Sequence, residues 1–97
     1  MHIGKVIREI RKKKGLSQED LADKCGLTQS TVSNIETQKK CPLPKNFSKI
    51  CKELETPETF IYLLATEEKD IPKNKKAIYK MLFPTIENML KQIIGAA

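Results

Sequence analysis

The chain has 97 residues, 39% of them hydrophobic, with 18 Lys and Arg against 12 Asp and Glu and a formal net charge of +6. That length gives one domain with a small core and little room for a second. One histidine, three cysteines with no C-x-x-C pair, and no phosphate-cradling glycine loop argue against an enzyme, a metal site or a cofactor. The charge is unevenly placed. Residues 1–54 hold 12 basic and 6 acidic side chains, whereas residues 55–97 hold 6 of each. All the positive excess lies in the first part, as expected of a polyanion binder. No signal peptide is evident and no apolar run is long enough to span a bilayer, so a cytoplasmic protein with reduced thiols and no membrane partner is expected.

Residues 3–14 predict a first helix, with Ile3, Val6, Ile7 and Ile10 on one stripe and Gly15 as its stop. Ser17 with Asp20 predicts a capped second helix over 18–25, ended by Gly26. Thr28 predicts the cap of a third, which runs to residue 36 or 37 with Val32 and Ile35 inward. Pro42 and Pro44 forbid helix between them, and Pro44 opens a fourth helix with Phe47, Ile50, Cys51 and Leu54 buried. Thr56 and Pro57 predict the start of a fifth, with Phe60, Leu63 and Leu64 completing the core. Residues 66–76 are polar and charged and read as a linker. Residues 77–94 return to apolar periodicity, and Pro84 predicts two helical pieces or one kinked helix.

The stretch Gln18 to Glu36 carries a further signal. Gln18, Leu21, Ala22, Gly26, Leu27, Thr28, Val32, Ile35 and Glu36 hold the characteristic places of a helix-turn-helix. This stretch resembles that of the phage repressor and Cro family, also called XRE-like. The resemblance covers residues 3–65 and not the last thirty. It implies an all-α fold with a five-helix repressor-like domain over 1–66; beyond it, composition and periodicity give a charged linker at 67–76 and a C-terminal helical segment at 77–97.

The resemblance also implies roles. The third helix would lie in the major groove of double-stranded DNA, with Gln29, Ser30, Ser33 and Asn34 facing base edges. An amide of Gln or Asn can hold adenine through two hydrogen bonds, whereas serine hydroxyls discriminate less. Gln18, Thr28, Lys39, Lys40, Lys45 and Asn46 would meet phosphates, and Lys12, Lys13 and Lys14 lie further off. Arg11 and Glu36 would form a partly buried structural salt bridge. Tyr79, Leu82, Ile86, Met89 and Ile93 recur at heptad-like spacing, too apolar for a lone helix. They would pack on the core or on a second copy in a homodimer. The implied function is a sequence-specific transcriptional regulator, more often a repressor; a regulator of a phage, mobile element or restriction system is the same reading with a different genomic address. An antitoxin whose C-terminal segment holds a toxin partner is the alternative.

Overall fold

A computed structural model describes residues 1–38 and 41–94. Among the described residues the regular structure is all helical: α1 (Ile3–Lys13), α2 (Gln18–Cys25), α3 (Gln29–Thr37), α4 (Pro44–Glu53), α5 (Glu58–Ala65) and α6 (Lys76–Ile94), with two short 3₁₀ turns at Glu68–Asp70 and Lys73–Lys75.

The core is built where the apolar stripes meet. Ile7, Leu21, Val32, Phe47, Ile50, Leu54 and Ile61 are fully enclosed, and Leu16, Leu27 and Leu64 close the edges. Cys25 and Cys51 belong to the same core and Cys41 is exposed. Burial pushes the Cys51 thiol up to about 12, so it behaves as a small apolar group.

Helix ends follow the local sequence. Ser17 and Asp20 form a reciprocal capping box on α2. Three helices end alike, each with a left-handed residue followed by a backbone N–H reaching five residues back. Gly15 (φ 72°) and Gly26 (φ 69°) do this after α1 and α2. After α4 the position is taken by Glu55 (φ 53°), at a cost of about 1 kcal/mol for a residue with a Cβ.

Glu55 explains a departure from the expected fifth helix. Thr56 does not cap α5. Its N–H donates to the Cys51 carbonyl and its buried hydroxyl to the Leu54 carbonyl, so it closes α4. Pro57 takes the cap position, and α5 begins at Glu58. The inward residues are therefore Ile61 and Ala65, with Leu64 at the edge, while Leu63 is exposed.

Residues 66–76 are also more ordered than a linker. The Met1 ammonium lies 2.9 Å from Asp70 and 3.3 Å from Glu67, and the main-chain N–H of Glu67 donates to the Asp70 carboxylate. This contact with the ammonium holds both carboxyls below their ordinary range. Pro84 does not divide the last segment: α6 continues through it as one helix. Tyr79 turns inward, its hydroxyl donating to the Thr66 carbonyl and its ring stacked on Phe83. Of the heptad-spaced residues it therefore faces the protein itself, whereas Leu82, Ile86, Met89 and Ile93 are exposed.

Candidate nucleic-acid interface

The helix-turn-helix is held from behind. Val32, Ile35 and Glu36 bury one side of α3. Glu36 accepts from Arg11 twice, Nε to Oε2 at 2.6 Å and Nη2 to Oε1 at 3.0 Å. Arg11 also donates from Nη1 to the Leu16 carbonyl at 2.8 Å. Both side chains are almost wholly enclosed, at 7% and 1% exposure. A bidentate pair out of water is strongly directional, so it fixes the axial position of α3 against α1. Gly4 contributes from the same helix. A Cβ there would overlap the Ile35 carbonyl oxygen and come within 2.9 Å of that of Glu36, so α1 and α3 approach backbone to backbone.

With its inner side immobilised, α3 presents Gln29, Ser30 and Asn34 to solvent, and Ser33 is half-buried beside them. Thr37 is exposed, but its hydroxyl is turned back onto the Ser33 carbonyl. At the start of the helix, Thr28 Oγ1 accepts from the Thr31 N–H at 3.1 Å. That hydroxyl is spent on capping, which leaves the N–H groups of Gln29 and Ser30 in the first turn as free donors.

Gln18 has a different surrounding from the one expected of a free phosphate ligand. It is half-buried, and its Nε2 donates to Glu36 Oε1 at 3.1 Å. One amide hydrogen is thus committed to the Arg11–Glu36 pair, and the side chain is held in place by it. Lys45 is exposed and Asn46 half-buried in the first turn of α4. Lys39 and Lys40 lie outside the described residues.

Sequence reasoning missed two things here. Gly4 was legible only as a glycine interrupting a helical stripe, a signal of close backbone approach. The link from Gln18 to Glu36 carries no sequence signal beyond both residues being part of the motif.

Among the described residues no His, Cys, Asp or Glu cluster could hold a metal ion. Nor is any described helix long and apolar enough to cross a membrane. No curated protein and no solved structure matches the chain. A family model described as "Helix-turn-helix" matches residues 7–61, more than half of the chain and all of α2, α3 and α4. The chain therefore belongs to the XRE-type helix-turn-helix family of DNA-binding transcription regulators.

Proposed function

We propose that the chain is a sequence-specific repressor that reads the major groove with α3 as a homodimer on an inverted repeat. The observation that carries this reading is the row Gln29, Ser30 and Asn34, exposed on a helix whose opposite side is clamped to α1. A reader of base edges must be held rigidly, because hydrogen-bond discrimination is lost over small displacements. Gln29 and Asn34 supply the amides suited to adenine, and Ser30 and Ser33 complete the contact row. The first-turn N–H groups of α3, with Lys45, Asn46 and the second amide hydrogen of Gln18, meet phosphates and set the register. Thr28 takes part through its backbone.

Gln29→Ala is expected to relax base preference at one position of a site selected from random DNA, by about 1–3 kcal/mol of discrimination. The dependence of affinity on salt should stay the same, since no phosphate charge is neutralised by an amide. An unaltered selected site would remove Gln29 from base reading.

The second copy is assigned to α6. Its outer side exposes Ile78, Met81, Leu82, Ile86, Met89 and Ile93, between 39% and 70% each. Together they form one broad apolar face in water, the kind of contiguous surface that marks an interaction site rather than a solvated helix. Two such domains on one side of the duplex would meet half-sites about 34–36 Å apart. Leu82→Glu combined with Met89→Glu should give a monomer in sedimentation with unchanged helix content. Affinity for a full inverted repeat should fall on the order of 100-fold, and affinity for a half-site should not change. A double variant that remains dimeric would place the dimer contact elsewhere. If the unaltered chain sediments as a monomer and is held by a small toxin-like protein through α6, the antitoxin reading replaces the homodimer.

A further inference from the structure

The inner side of α6 does not close on α1. The two meet at one end, where the His2 N–H donates to the Ala65 carbonyl and the Tyr79 hydroxyl to that of Thr66. Beyond that shared end lies a cleft of about 570 Å³. Its lining is divided. Val6, Ile10, Leu64 and Phe83 supply apolar surface, and charged side chains stand along both walls. The charges of the two walls are spent differently. On the side of α6 and the turn before it, Glu67 is taken by the Met1 ammonium, Glu68 by Lys80 at 3.2 Å and Glu87 by Lys91 at 3.7 Å. On α1, Lys5, Glu9 and Lys13 line the cleft in one row, and none has an ion-pair partner among the described residues. Glu9 stands one helical turn from each lysine, the spacing of a helix-surface pair, and meets neither. His2 begins the same row at the closed end. It is half-buried, and its Nδ1 is enclosed without a hydrogen-bond partner among the described residues. An enclosed polar atom left unpaired is costly, so the ring gains by turning Nδ1 to a ligand in the cleft.

We propose that this cleft binds a free amino acid with an apolar side chain. Its carboxylate meets Lys5 and, at the closed end, His2. Its ammonium meets Glu9, one turn further along α1. Its side chain lies on Val6, Ile10, Leu64 and Phe83. Lys5 and Glu9 are separated by about 6 Å along the helix axis, a gap their flexible side chains can close onto two groups carried by one carbon. A zwitterion suits the row because the unpaired neighbours are of opposite sign. An anion alone would be repelled by Glu9, and a cation alone by Lys5. An apolar surface with a few polar groups that fix orientation is the usual make-up of a small-molecule site, and the volume is in the usual range.

The position gives the site a consequence. One wall, α1, is fixed to the reading helix through Arg11 and Gly4. The other wall, α6, carries the surface assigned above to the second copy. A molecule held against both sets the angle of α6 to the DNA-reading unit, and so the spacing of two half-sites. That consequence rests on the proposed function, but binding in the cleft does not.

Binding can therefore be tested without DNA, by titrating L-leucine into the isotope-labelled full chain. The amides of Lys5, Val6, Glu9 and Phe83 should shift together, and the Nδ1 resonance of His2 with them. Isocaproate lacks the ammonium and isoamylamine lacks the carboxylate, so each should bind more weakly than leucine. Lys5 and Glu9 are exposed, so their variants should keep the fold. Glu9→Gln should weaken leucine about two- to five-fold without weakening isocaproate. Lys5→Met should weaken leucine by a similar factor without weakening isoamylamine, and Lys13→Met should change neither. An analogue that binds as tightly as leucine would overturn the proposal, because one of the two charges would then go unread. Variants that weaken leucine and both analogues alike would overturn it too, as would a loss at Lys13→Met in place of Lys5→Met. No shift with leucine, or shifts confined to Ile78, Leu82 and Met89 on the outer side, would overturn the site itself. So would cleft signals that move with protein concentration before leucine is added, since a second copy would then fill the space.

Discussion

Gly4→Ala should destabilise the domain by about 3 kcal/mol or more, a large share of the ~5–15 kcal/mol that keeps a domain folded. In an open helix the same change stabilises by up to about 1 kcal/mol, because alanine restricts the unfolded chain. Here the added methyl meets two main-chain oxygens, of Ile35 and Glu36, and neither is the end of a flexible side chain. To admit it, α1 must move away from α3. Arg11, two turns along the same helix, is bonded to Glu36 and resists that movement. Relief at one point breaks contact at the other, so steric cost outweighs helix propensity. Thermal unfolding should show a fall of more than about 12 °C, given the small unfolding entropy of so short a domain. Arg8→Ala, at an exposed position of the same helix, should change little. A Gly4→Ala protein as stable as the parent would mean that the backbones of α1 and α3 do not approach as described.

What was legible in the sequence follows from where local and tertiary signals agree. Ser17, Asp20, Gly26 and Thr28 each act within one turn of their own backbone, so the borders of α2 and α3 can be read directly. The stripe Ile3, Val6, Ile7, Ile10 has only one helical side to bury. The fifth helix differs because residues 60–65, Phe-Ile-Tyr-Leu-Leu-Ala, are apolar all round and periodicity cannot choose a phase. Its phase was set instead by Glu55, whose left-handed turn delays the helix start by a residue. A non-glycine residue gives no warning of that conformation. Pro84 left two pieces or one kinked helix open, and the single helix is the form found: proline removes one hydrogen bond, and a long helix with support on one side can carry the loss. Residues 66–76 are held by partners outside the stretch, the Met1 ammonium on Asp70, Tyr79 on Thr66 and Lys80 on Glu68, which composition does not show. In the candidate interface the motif indicates which residues of α3 face outward, while Gln18 shows that a motif position can be half spent on the protein itself.

Glu36→Gln should be among the most damaging conservative changes in the chain, costing about 3–5 kcal/mol in urea denaturation. The amide keeps the volume of the carboxylate but not its charge, and the Arg11 guanidinium would remain enclosed with no counter-ion. Arg11→Met should cost a similar amount by leaving Glu36 buried and negative, with only Gln18 Nε2 as partner. The double variant Arg11→Met with Glu36→Leu tests which effect dominates. If the penalty of each single change is an orphaned charge, removing both should recover most of the loss, with a coupling energy of about 2 kcal/mol or more. Recovery should stop short of the parent, because the Leu16 carbonyl and the Gln18 amide each lose a hydrogen-bond partner, at about 1 kcal/mol apiece. Raising salt should barely alter the single-variant losses, since ions do not screen a pair held out of water. Single variants that cost under about 1 kcal/mol would instead describe an exposed ion pair. The double variant also separates stability from reading. Its α3 would be buried as before, but Gln18 would no longer be held by Glu36. A folded double variant whose DNA affinity falls uniformly over all sequences, with base preference kept, would assign Gln18 to positioning the backbone of the duplex rather than to choosing its bases.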